Sequence, residues 1–119
     1  MLKREYYLNK IRNFYHVKSL IKILYGLRRS GKSIILKQIM EEIKQYGIDD
    51  EHIIYINFEL IEYDDINTAK QLNGYVKSFV KDDKTYYVFL DEIQKVNDFE
   101  KAINSLRASC QFSIFITVK

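Results

Sequence analysis

Cysteine is almost missing from this chain, with one thiol, Cys110, among 119 residues. A lone cysteine can supply neither a disulfide framework nor a thiolate zinc site, and it fits a reducing compartment. Cys110 itself reads as a small buried hydrophobe. Tryptophan and proline are absent and glycine occurs 4 times. No apolar run approaches the roughly 18 to 20 residues that cross a bilayer. The longest, around Leu20 to Tyr25 and Tyr86 to Leu90, are strand-sized. The amino end, Met1-Leu2-Lys3-Arg4-Glu5, turns charged at once and lacks the apolar core of a secretory signal. A soluble, cytoplasmic protein with no membrane partner is expected. Charge names no partner either, because 19 Lys and Arg against 16 Asp and Glu leave a net +3, too balanced to indicate nucleic acid. His16 and His52 have no second ligand at usable spacing and read as surface residues. With 47% hydrophobic residues the chain is not disordered, and one compact domain over 1–119 is expected.

Hydrophobic spacing divides the chain into alternating elements. Leu8, Ile11, Phe14 and Tyr15 give a helical period over about Lys3 to Phe14. Leu20 to Tyr25 is apolar on both faces except at Lys22, as in a strand buried on two sides. From Lys32 to Tyr46, Ile35, Ile39 and Ile43 mark one face of a helix that Gly47 stops. A second strand is expected over His52 to Glu59, an acidic loop over Glu62 to Asp65, and a third helix over Thr68 to Val80. Thr85 to Leu90 is again apolar on both faces and ends in Asp91-Glu92. Asp98 is placed to cap a helix with Phe99, Ala102, Ile103 and Leu106 inward, and Phe112 to Val118 reads as the last strand. Apolar strands alternating with helices predict a parallel sheet covered by helices, an α/β fold.

Gly26-Leu27-Arg28-Arg29-Ser30-Gly31-Lys32-Ser33 matches G-x-x-x-x-G-K-[ST], between a buried strand and a helix start. A polyphosphate needs several backbone N–H groups turned into one concavity, and a helix N-terminus adds free donors and its positive dipole end. On this pattern Gly26 and Gly31 supply the turn. Lys32 reaches the β- and γ-phosphates, the Ser33 hydroxyl ligates Mg²⁺, and Ser30 and Ile34 lie on the loop and the helix start. Arg28 and Arg29 either add charge near the phosphates or point to solvent. The competing reading is a solvated basic turn that caps a helix. Asp91 and Glu92 close a strand at the edge where open α/β sheets bind ligands. Beside a phosphate loop, Asp91 would hold Mg²⁺ through water and Glu92 would polarise a water for attack on the γ-phosphate. Alone, the acid pair would be a turn with capping potential.

The stretches from Ile21 to Ser33, Ile54 to Glu59, Phe89-Leu90-Asp91-Glu92-Ile93-Gln94-Lys95-Val96 and Phe99 to Arg107 resemble the AAA+ type ATP-binding proteins of bacteria and archaea. Within these they resemble a poorly characterised family whose phosphate loop reads G-[IVL]-R-R-x-G-K-[ST]. The resemblance covers nearly the whole chain. It implies a three-layer P-loop NTPase core with strand order 5-1-4-3-2, of which this sequence supplies 1-4-3-2, with ATP and Mg²⁺ as ligands. It also puts Asn57 where such proteins keep a polar residue that restrains the catalytic Glu; the alternative is an Asn that ends its strand by turn hydrogen bonds.

In that family the last strand runs on through G-S-N-S to a sensor residue, a fifth strand, a helical lid and a further domain. Here Ile116-Thr117 is followed by Val118-Lys119. The expectation is therefore a truncated ATPase core that binds MgATP or MgADP and hydrolyses slowly at best, with the phosphate-loop strand at an exposed edge open to self-association. A non-hydrolysing nucleotide-binding or interaction module is the alternative. A small-molecule phosphotransferase is disfavoured by the adjacent acids.

Overall fold

The computed structural model describes residues 2–25 and 29–118, and among these not the side chains of Leu2, Lys3, Arg4, Tyr7, Arg29 and Ser30. Four helices, α1 (Leu2–Ile11), α2 (Arg29–Gln45), α3 (Ala69–Lys77) and α4 (Phe99–Ala108), alternate with four strands, β1 (Lys22–Leu24), β2 (Ile53–Asn57), β3 (Tyr86–Asp91) and β4 (Phe112–Thr117). All strand pairs are parallel, in the order β1-β4-β3-β2. The α/β class and the order 1-4-3-2 expected from the sequence are those observed.

The registers set the two faces. Tyr55 pairs with Phe89, Phe89 with Phe115 and Phe115 with Lys22, so these side chains line one face of the sheet. Ile35, Leu36, Ile39 and Ile43 of α2 cover that face together with Leu8 and Tyr15, and Phe89 and Phe115 stack at 4.6 Å. Ile54, Val88, Leu90, Ile114 and Ile116 face the other way, against Leu72 and Val76 of α3 and Ala102, Ile103 and Leu106 of α4. The central strands β3 and β4 are buried at every residue, because helices cover them on both sides. Removing one such Phe would cost about 3–5 kcal/mol.

Several local expectations are corrected. β1 is an edge strand buried on one face only. Lys22, the residue out of pattern, is 5% exposed, while its apolar neighbour Ile23 is 41% exposed. Lys22 lies on the α2 face, where its ammonium donates to Val17 O (2.7 Å) and Ser113 Oγ (2.8 Å). The helix expected from Lys32 begins at Arg29. Asp98 precedes α4 but makes no capping hydrogen bond, since its φ of 55° is left-handed. Thr68, by contrast, closes a capping box with Gln71. His52 is buried rather than superficial, with Nε2 2.8 Å from Asp82 Oδ2 and its ring 4.7 Å from that of Tyr86. Cys110 is exposed rather than buried, at a left-handed φ of 61° just after α4. Gly47 does end α2 at a φ of 93°, where glycine alone is unstrained. Among the described residues no helix is long and apolar enough to cross a membrane.

Candidate functional site

The carboxyl edge of the sheet gathers the chemistry. β3 runs buried to its last residue, Asp91, and so brings a carboxylate to the sheet edge with no exposure. A buried carboxylate must be saturated with donors. Asp91 takes three hydroxyls from three elements. Oδ1 accepts from Thr117 of β4 at 2.6 Å, and Oδ2 accepts from Ser33 of α2 at 2.6 Å and from Tyr55 of β2 at 2.9 Å. Burial first, and then the charge on Asp91, push the Tyr55 phenol well above its ordinary pKa, so it stays a donor.

Glu92 follows in left-handed backbone, φ 59° and ψ 50°, a conformation that costs a non-glycine residue about 1–2 kcal/mol. The turn drives its side chain inward to 1% exposure. Its N–H donates to Thr117 Oγ1 at 2.8 Å, so a single hydroxyl ties the backbone of one acid to the carboxylate of the other. Glu92 Oε1 accepts from Gln94 Nε2 at 2.7 Å. Oε2 is buried without a hydrogen bond and lies 3.6 Å from Lys32 Nζ. Lys32, 2% exposed, donates to Val118 O at 2.8 Å. The ammonium is thus turned in toward the end of β4 and the carboxylate of Glu92.

The remaining residues singled out in the sequence are distributed around this cluster. Gly26 and Arg28 lie outside the described residues, and Arg29 and Ser30 form the first turn of α2. Among the described residues, a Cβ placed on Gly31 would meet nothing within 4 Å. Ile34 is 41% exposed and borders a groove with Leu8 and Lys37, away from Asp91. Asn57 pairs in register with Asp91, but its Oδ1 accepts from Glu59 N at 3.0 Å, which favours the strand-ending turn over a restraint on Glu92. Two residues of the cluster, Tyr55 and Thr117, escaped the sequence reading. Tyr55 precedes Asn57 by two positions, and the Asn57–Asp91 register alone would have put it on the face of Asp91.

Hard oxygen donors from a hydroxyl and a carboxylate suit a small divalent cation that keeps most of its water. Among the described residues no three His, Cys, Asp or Glu side chains converge into a protein cage for a metal. Such an ion would need only Ser33 and Asp91, and the Ser33 hydroxyl has lone pairs for it while its O–H still donates to Asp91.

Comparison with known proteins agrees with this architecture. A family model described as an AAA domain matches residues 18–118. An uncharacterized protein of Haemophilus influenzae is 36% identical over 118 residues, 98% of this chain and 29% of that protein. An uncharacterized protein of Methanocaldococcus jannaschii is 42% identical over 98 residues, 82% of this chain and 20% of that protein. This chain therefore spans less than a third of the length of either relative. No solved structure matches it. A parallel sheet in the order 1-4-3-2, with α2 set beside a buried acid at its carboxyl edge, agrees with a nucleotide-binding module of this kind, and the chain belongs to the AAA domain family.

Proposed function

We propose that this chain binds ATP or ADP with Mg²⁺ at the carboxyl edge of its sheet. The observation that carries the proposal is the convergence of Lys32 and Ser33, from the start of α2, on Asp91 and Glu92 at the end of β3. In this reading the loop from Gly26 to Gly31 and the first turn of α2 cradle the phosphates. Lys32 leaves Val118 O and Glu92 for the β- and γ-phosphates. Ser33 turns a lone pair to the cation, and Asp91 holds that ion through its water shell. Mg²⁺ neutralises phosphate charge when bound. Glu92, freed from Lys32, accepts a proton from the water that attacks the γ-phosphorus while the bond to the ADP oxygen breaks.

A second reading, nucleotide binding without turnover, is favoured by the state of Glu92. Its carboxylate is buried, engaged by Gln94 on one oxygen and faced by Lys32 on the other.

Titration calorimetry with MgATP and MgADP tests the proposal. Binding is expected, and Lys32→Ala should weaken it by about tenfold or more, because it removes a direct charge on the phosphates. Folded wild-type protein that binds neither nucleotide contradicts the proposal. Single-turnover measurement of phosphate release then separates the two readings.

A further inference from the structure

Tyr55 presents a hydroxyl where packing alone asks for none. Its ring is half-buried against the α2 face of the sheet, and phenylalanine would fill the same space. A phenol pulled from water is costly unless its O–H finds a partner, and here the partner is Asp91 Oδ2 at 2.9 Å. The same oxygen accepts from Ser33 at 2.6 Å. The donors to Asp91 are not equivalent. Thr117 is also committed to the Glu92 N–H. Ser33, on the reading above, also turns a lone pair to a cation while its O–H stays on Asp91. Tyr55 is the other donor on Oδ2, anchored in β2 and not itself engaged by the cation.

We infer that Tyr55 is a positioning residue for the divalent cation, its hydroxyl holding the Asp91 carboxylate in the orientation from which it receives the hydrated ion of the nucleotide complex. The inference rests on the nucleotide-binding reading and adds to it a residue from β2. Without the phenol, Oδ2 is held only by Ser33, whose oxygen is shared with the cation, and the carboxylate loses the restraint that comes from β2.

The test compares Tyr55→Phe with Tyr87→Phe, which removes a hydroxyl bonded to His16 Nδ1 at 2.6 Å on the neighbouring strand. ATP affinity is measured by calorimetry in EDTA and across a series of MgCl₂ concentrations, with thermal melting as a control for folding. Y55F should raise the Mg²⁺ concentration for half-maximal enhancement of ATP binding by roughly tenfold, the weight of one hydrogen bond to a charged group. It should leave the affinity in EDTA within about twofold, the change expected when phosphate contacts are untouched. Y87F should change neither. A Mg²⁺ requirement in Y55F equal to that of the wild type overturns the inference while leaving the nucleotide-binding reading intact. An equal loss of affinity in EDTA and in Mg²⁺, or a Y55F protein that does not fold, assigns the hydroxyl to general stability and also overturns it. Wild-type protein that binds no ATP under either condition removes the nucleotide-binding reading and the inference together.

Discussion

Ser33 Oγ donates to Asp91 Oδ2 at 2.6 Å, joining the first turns of α2 to the end of β3 across 58 residues of sequence. The bond makes one unit of α2 and the acid that ends the central strand.

The two adjacent acids are expected to separate in function. Asp91→Asn should weaken Mg²⁺-dependent nucleotide binding by about tenfold or more, since it removes the charge that faces the ion. Glu92→Gln should leave binding nearly unchanged and abolish any hydrolysis, because an amide cannot accept the proton. Calorimetry paired with phosphate release checks both. Equal binding losses in the two variants would contradict the assigned roles.

Thr117 is expected to matter for stability as well as for the site. Thr117→Val keeps the shape but deprives both Asp91 Oδ1 and the Glu92 N–H of a buried partner, at a cost of roughly 2 kcal/mol or more. Thr117→Ser should recover most of the loss. Urea unfolding midpoints give the measurement, and a valine variant as stable as the wild type would remove Thr117 from the account.

Lys22 makes stability depend on pH in the alkaline range. Desolvation lowers its pKa from 10.5 to about 8, against the help of Val17 O, Ser113 Oγ and the Phe115 ring 4.7 Å away. Between those two values the unfolded chain holds a proton that the folded chain has released. Stability should therefore rise with pH through this window, by at most about 1.4 kcal/mol per unit. Toward the top of the window, near pH 10, Tyr15 and Tyr55 oppose it, because burial keeps their protons on in the folded state. Unfolding midpoints from pH 7 upward, in the wild type and in Lys22→Met, isolate the lysine: the rise above pH 8 should be absent from the variant. Parallel profiles would show that Lys22 does not carry the effect.

β4 lies between β1 and β3, so the end of the described chain is the middle of the sheet. A protein ending at Cys110 lacks Phe112, Ile114, Phe115 and Ile116, all buried, and leaves β1 without a neighbour. It should not fold, as judged by circular dichroism and the loss of cooperative melting. Retention of fold and nucleotide binding by that protein would contradict the central position of β4.

Local pattern in the sequence was enough for the alternation of strands and helices and for the acids closing an apolar strand. Each of these depends on residues close together in the chain, where side-chain period and turn chemistry act directly. The strand order came from the likeness of motifs, since periodicity is blind to which strands lie side by side. Tertiary structure decided the rest. Lys22 is inside and Ile23 outside because α2 covers one face of the edge strand and nothing described covers the other beside Ile23; alternation along β1 reads the same with either face buried. His52 is drawn in by Asp82 and Tyr86, and Cys110 is left out at the left-handed end of α4, through contacts and backbone turns that composition does not encode. Tyr55 and Thr117 meet Asp91 only because the parallel registers bring β2 and β4 level with the end of β3 on the same face of the sheet, and a shift of one residue in either strand would have pointed those hydroxyls into the opposite core.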